Sequence, residues 1–339
     1  MSDGPEVSIL LPIYNAAATL DECLDSIERQ TFGEYELIAV DDGSSDSSAA
    51  IIRDRANRDS RIRLLTPGRV GLVRALNLGI EAARSPLLAR MDGDDVMLPE
   101  RLELQAAYLD RHPEVALVGT QVELFPPELV REGYLEYVRW QNACITPEEI
   151  AANLYVESPL AHPSVMMRRS ALERVGFYAD GPFPEDYELW LRMHHAGCLM
   201  AKVPRILLRW RERAERTSRV DPRYAREAFD RLRAEYLARD PRLHQDREFV
   251  IWGAGRTTRK RTRPLFERGR TPAAWIDVDP KKIGNTLRGL PVRPAEWLTG
   301  LDPKPFVLIY VASHGAREEV IAFLEVRGYR VSEDYLAVG

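Results

Sequence analysis

Leu87-Leu88-Ala89-Arg90-Met91-Asp92-Gly93-Asp94-Asp95 is a short apolar run that ends in an acidic turn. Leu98-Pro99-Glu100-Arg101-Leu102 follows and reads as a helix with proline in its opening turn. The three carboxylates thus sit at a strand end, where open α/β sheets hold their ligands. Three acids within four residues repel one another. A divalent cation bound through oxygen relieves that repulsion. Magnesium or manganese, sharing its other positions with substrate phosphates, suits this carboxylate density. The plainer alternative is a solvated turn in which Asp95 caps the following helix.

Upstream, Val7-Ser8-Ile9-Leu10-Leu11-Pro12 reads as a buried parallel strand with proline at its exit. Tyr14-Asn15 lead into a helix signalled by Thr19 and Glu22 as a capping box, with Leu20, Cys23, Leu24 and Ile27 as its apolar stripe. A second strand, Leu37 to Val40, ends in Asp41-Asp42-Gly43-Ser44-Ser45-Asp46 and a helix through Ile51-Ile52. Ile62 to Leu65, a helix across Leu72 to Ala83 and the strand into the acidic turn complete the alternation. The pattern predicts an α/β fold with a largely parallel sheet. Both acidic turns then fall on one sheet edge and face one cleft. Asp-Gly-Ser is also ordinary turn chemistry, so Asp41 and Asp42 have a purely structural reading beside the functional one, a carboxylate accepting from a ribose hydroxyl or a base N–H.

At 339 residues, 45% hydrophobic and 29% charged, the chain has material for two domains with real cores. A net charge of -5 speaks against a general nucleic-acid or anionic-membrane binder. No window is long and apolar enough for a membrane span, and the first residues lack the features of a signal peptide. Cys23, Cys144 and Cys198 are scattered and odd in number, which predicts core filler in a reduced, cytoplasmic setting.

Taken in order, Val7 to Asn15, Val40 to Asp46, Ala75-Leu76-Asn77-Leu78-Gly79 and Arg90 to Asp95 resemble the family 2 glycosyltransferases of the GT-A fold. Ala161-His162-Pro163-Ser164-Val165-Met166 and Pro184-Glu185-Asp186-Tyr187-Glu188-Leu189-Trp190-Leu191-Arg192 resemble that family's acceptor-side signatures. The resemblance implies a nucleotide-diphosphate sugar as donor, a UDP-sugar being favoured, and a glycan or glycoconjugate as acceptor. It implies that Pro12, Tyr14 and Asp42 hold the nucleoside, that Asp92 meets the ribose and the metal shell, and that Asp94 binds Mn2+ or Mg2+. Asp186 is the implied catalytic base, and His162, Glu185 and Trp190 are the acceptor-side residues.

Sugar transfer breaks the bond between the anomeric carbon and a diphosphate, so cationic groups must meet the departing charge. The acceptor hydroxyl needs a base within hydrogen-bond reach. One carboxylate opposite the diphosphate gives in-line displacement with inversion, and Glu185 beside Asp186 would raise its pKa. Acids at a helix start are equally a dipole effect. His162 precedes proline and reads either as a structural histidine or as an acceptor or phosphate contact. In Leu207 to Arg213, Arg213 stands where relatives often carry a histidine near the metal. Arginine cannot ligate a cation but can pair with a diphosphate. Arg74, with Arg69, is a further diphosphate candidate against a solvated-surface alternative.

The domain reading is a GT-A glycosyltransferase domain over 1–215, a helical connector packed on it over 216–246, and a small Rossmann-like domain over 247–339. In the last, Phe249-Val250-Ile251-Trp252 enters Gly253-Ala254-Gly255, but Thr258 replaces the third glycine of a dinucleotide fingerprint. Ala273 to Asp277 reads as a strand ending in an acid, and Phe306 to Val311 as another. Arg256, Arg259, Lys260 and Arg261 crowd the glycine turn, which favours a structural or regulatory role over NAD binding. The competing functions are a sugar-phosphate nucleotidyltransferase, which wants a glycine-rich basic loop that Pro12-Ile13-Tyr14-Asn15 does not supply, and a non-catalytic nucleotide sensor.

Overall fold

The computed structural model describes residues 4–213, 219, 221–243, 247–311 and 315–339. The chain divides into two units: 1–150, 159–181 and 185–220 form the first, and 151–158, 182–184 and 221–339 the second.

In the first unit, β1 (Val7–Ile13) is buried at every position, as a run of apolar residues covered on both faces must be. It pairs in parallel with β2 (Tyr35–Asp41), which pairs with β3 (Ile62–Leu65). On its other side lies β4 (Leu87–Arg90), also parallel. The sheet then changes character. β7 (Met166–Arg168) runs antiparallel to β4 and to β6 (Val115–Phe125), β8 (Leu199–Arg211) is parallel to β6, and the short β5 (Val96–Met97) is antiparallel to β8. The order is β3-β2-β1-β4-β7-β6-β8-β5. Helices α1 (Ala17–Glu28), α2 (Ser48–Ala56), α3 (Leu72–Ala82) and α4 (Arg101–Arg111) connect and cover it. α3 sits close on the sheet because Gly79 has no side chain; a Cβ there would touch Leu10 at 3.4 Å.

Two local expectations fail. Thr19 and Glu22 form no capping box: α1 begins at Ala17, and its first N–H groups are met by the loop after β2, where Ser48 Oγ accepts from Ala16 N at 2.9 Å and Asp46 Oδ2 from Ala17 N at 3.0 Å. Tertiary caps have displaced the local one. α4 starts at Arg101 rather than at Leu98, because Val96 and Met97 are drawn into pairing with β8.

The second unit holds a parallel sheet in the order β12-β10-β9-β13-β14, formed by β9 (Phe249–Trp252), β10 (Ala274–Ile276), β12 (Leu290–Arg293), β13 (Phe306–Ile309) and β14 (Tyr335–Ala337); β11 (Thr286–Leu287) adds an antiparallel edge. This is the strand order of an open doubly wound sheet. The helix Arg226–Arg239, expected as a connector on the first domain, belongs to this unit instead. It buries Leu232 and Leu237, and its Asp230 accepts from Arg261 at 3.1 Å. The stretches 216–218, 220 and 244–246 of the expected connector lie outside the described residues.

Candidate active site

The acidic turn is set against the start of α1. Gly93 lies so near this helix that a Cβ would stand 3.3 Å from that of Ala16. Thr19 Oγ1 donates to Gly93 O at 3.0 Å, and the buried Cys23 Sγ donates to Asp92 O at 3.3 Å. Ser44, Asp46 and Ser48, from the turn that contains Asp42, bond Asn15, Ala16 and Ala17 on the same helix entry. The two acidic turns are thereby neighbours, as the alternation of strand and helix implies.

Asp92, Asp94 and Asp95 each offer an oxygen within 4.8 Å of the others, a spacing and donor set that fit a hard divalent cation. The protein also supplies counter-charges of its own, which the sequence reading did not foresee. Arg90 ion-pairs with Asp92, and Arg213 with Asp94 at 3.0 Å. Arg101 lies fully buried behind them; burial pushes its guanidinium down to about 9, while the field of Asp95 works the other way. Asp95 does not cap α4. Its Oδ1 accepts from Arg211 N at 2.8 Å, which ties the turn to the end of β8.

Along the edge of β2, Asp42 is buried and already engaged. Oδ1 accepts from Val70 N at 2.6 Å and Gly71 N at 2.8 Å, and Oδ2 from Arg69 at 2.5 Å. Arg69 in turn lies over the Tyr14 ring, 3.5 Å from its centroid. Tyr14 is 50% exposed, whereas Pro12 is buried within β1. The face presented here is an aromatic ring backed by a guanidinium, with Asp42 as its anchor. Gly43 has to be glycine: its φ is +70°, and a Cβ would meet Arg69 N at 2.9 Å. Arg74 pairs with Glu81 at 2.9 Å on the outer face of α3, both half exposed. Arg69, not Arg74, is the arginine that the structure joins to Asp42.

The third group opens the helix Glu185–His195. Asp186 keeps partial exposure, accepts from Tyr187 N at 2.7 Å, and is pushed up to about 7 by burial first and then by the charge of Glu185. Behind it, His162 Nε2 shares a hydrogen bond with Tyr178 Oη at 2.8 Å, and its Nδ1 lies 3.7 Å from Glu185 Oε1. Burial, then Arg90, holds His162 well below its ordinary value, so it is neutral at pH 7 and cannot meet a phosphate as a cation. Trp190 is fully buried, edge-on to His162 at 6.0 Å. Asn77 clamps Tyr178 at both backbone groups, 2.9 Å to its O and 3.1 Å from its N. Tyr178 lies within the fields of Arg90, Asp186, Glu185 and Asp92 together, so the acidic turn and the Glu185–Asp186 pair stand about the same buried phenol. Tyr178 lies outside every motif quoted from the sequence; Arg90 opens the acidic one, but its pairing with Asp92 was not read there.

The carboxylate triad and the separate acid of raised pKa both belong to the unit built on the mixed sheet. The profile described as Glycosyl transferase family 2 matches residues 8–176. The amylovoran biosynthesis glycosyltransferase AmsE of Erwinia amylovora is 33% identical over 207 residues, 60% of this chain and 75% of that protein. The chain belongs to glycosyl transferase family 2. Among solved structures, Staphylococcus aureus TarS residues 1–349 with UDP-GlcNAc matches with a TM-score of 0.54 at 19% identity, over 68% of this chain and 66% of that one. The mannosyltransferase PcManGT of Pyrobaculum calidifontis, with GDP-Man and Mn2+, matches with a TM-score of 0.50 at 18% identity, over 79% and 70%. At these identities the two likenesses establish the fold.

Proposed function

We propose that the protein is a metal-assisted, inverting glycosyltransferase that moves a sugar from a nucleotide-diphosphate donor to a hydroxyl of a glycan or glycoconjugate. The observation that carries this is Asp186, an acid raised to about 7, taken with a turn that groups three carboxylates within 4.8 Å. Tyr14 and Arg69 take the nucleoside, with Asp42 fixing the loop that bears Arg69. Asp92 and Asp94 hold Mn2+ or Mg2+, which when bound offsets charge on the leaving diphosphate. Arg213, drawn from Asp94, pairs with the same diphosphate. Asp186 takes the proton of the acceptor hydroxyl as its oxygen attacks the anomeric carbon and the bond to the diphosphate breaks on the opposite face. Glu185, neutral His162 and Trp190 form the wall behind that base.

UDP is the favoured nucleotide. TarS is described with UDP-GlcNAc and PcManGT with GDP-Man, so both bases belong in the test. The AmsE relative suits a polysaccharide pathway. Family membership sets the nucleotidyltransferase alternative aside. Among the described residues no helix is long and apolar enough to cross a membrane. For the second unit a structural or regulatory role is the better reading. Asp277, where a ribose acid would stand, accepts from Ala254 N at 2.8 Å and pairs with Lys282 at 3.1 Å, so it is spent on the glycine turn. Nucleotide release from UDP- and GDP-sugars with Mn2+ tests the whole reading. Turnover of one donor, lost in D186A, is expected, and equal turnover by wild type and D186A would sink it.

A further inference from the structure

Asn15 stands where the chain leaves β1 for α1, and its φ is +49°. Glycine adopts that conformation freely, whereas a side chain is strained there, asparagine less than most. The position keeps a side chain, and the side chain is engaged. Asn15 Oδ1 accepts from Ser45 N at 2.9 Å and from Ser45 Oγ at 3.3 Å, while Asn15 N donates to Ser44 Oγ at 3.0 Å. These bonds fasten the exit of β1 to the turn after β2, 29 and 30 residues further along the chain.

That turn is itself held. Asp41 Oδ1 accepts from Ser44 N at 3.3 Å, and Asp42 binds Arg69 and the N–H groups of Val70 and Gly71. The residue before Asn15 is Tyr14, whose half-exposed ring lies against the Arg69 guanidinium. Tyr14 is thus joined to the β2 turn twice, through its ring by Arg69 and through its backbone by Asn15. The Arg69 side chain is 56% exposed, and a cation–ring contact in water is weak. The direction of the ring is therefore set chiefly by the backbone that carries it.

We propose that Asn15 is a positioning residue for the nucleoside: its left-handed turn and its tie to Ser45 hold the Tyr14 ring against Arg69 as a ready platform for the base. The inference deepens the transferase reading and rests on it. A base that stacks on a ring already in place has less freedom to quench on binding.

The test has two arms, both on the full chain. The first needs no ligand: the protein is labelled with 3-fluorotyrosine and followed by 19F NMR. The signal missing from Y14F identifies Tyr14, and R69A gives its position without the guanidinium. N15G permits the same φ and removes only the side-chain tie, so the fold should stand while the Tyr14 signal moves towards its R69A position. A Tyr14 signal unmoved in N15G overturns the proposal. The second arm is calorimetry with Mn2+, using UDP and UMP, with GDP and GMP in parallel. Stacking of a base on an aromatic ring is worth roughly tenfold or more in affinity. N15G should therefore weaken the diphosphate and the monophosphate of the bound base alike, by about tenfold. Unchanged affinity, or a loss confined to the diphosphate, overturns the proposal. A wild type that binds neither base contradicts the transferase reading instead, and the 19F arm still decides whether Asn15 sets the ring.

Discussion

Asp186 carries two linked consequences of its surroundings. Its carboxyl is raised to about 7, so the protonated form favours the fold, and that contribution is lost as pH rises from the ordinary carboxylate range through 7. A base needs the opposite form. The rate of donor turnover, followed as kcat/KM, should therefore fall on the acid side of about pH 7, and D186N should lower kcat by roughly 10²–10⁴-fold. An acid limb near pH 4 would mean that another group is the base. Arg213 gives the second prediction at this scale. Its pair with Asp94 is 44% exposed on the arginine side and is worth about 1 kcal/mol or less to the fold. R213A should melt close to wild type yet bind UDP with Mn2+ about tenfold more weakly, because a charge-assisted contact with the diphosphate is gone. A large fall in melting temperature with unchanged UDP affinity would make Arg213 structural. The acids of the two strand-end turns were legible in the sequence because their grouping is dense and their placement follows from periodicity, whereas Asp186, at a helix start, was singled out only by the family resemblance. The role of Arg90, which opens the Arg90–Asp95 motif, was not legible, since only burial and the ion pair with Asp92 reveal what its side chain does.

At the scale of elements, the site depends on loops that hydrogen-bond to one another more than on any single helix. Asp46 and Ser48 cap α1 across 29 and 32 residues of sequence, and that is why a local capping box at Thr19 and Glu22 was the wrong expectation. Gly43 and Asn77 show the same dependence. G43A adds a strained φ and a contact with the Arg69 backbone, so it should destabilise the fold by more than about 1 kcal/mol in urea unfolding. Because Arg69 is displaced, it should also weaken UDP binding. N77A should leave most of α3 intact while loosening Tyr178. Its signature would be a fall in kcat with little change in UDP affinity; an unchanged kcat would show that the clamp on Tyr178 is incidental. The motif around Asn77 was visible in the sequence, but its purpose lies in Tyr178, a residue 101 positions away.

For the molecule as a whole, the alternation of strand and helix announced both α/β units, and the first strands of each were found almost where the apolar runs place them. The antiparallel members β5 and β7 were not foreseen, being two and three residues long with no periodicity to read. Nor was the membership of the Arg226–Arg239 helix, because an amphipathic pattern marks a buried face without saying what buries it. The central claim is that acids from the ends of β2 and β4 and from the helix at Glu185 serve one metal–nucleotide site with separable roles. Isothermal titration of UDP, with GDP in parallel, into the wild type, D94A and D186A with and without Mn2+ tests it most directly. The account predicts Mn2+-dependent binding of one nucleotide to the wild type, loss of that dependence in D94A, and near-wild-type binding in D186A. Binding that ignores Mn2+, or D94A and wild type behaving alike, would contradict it.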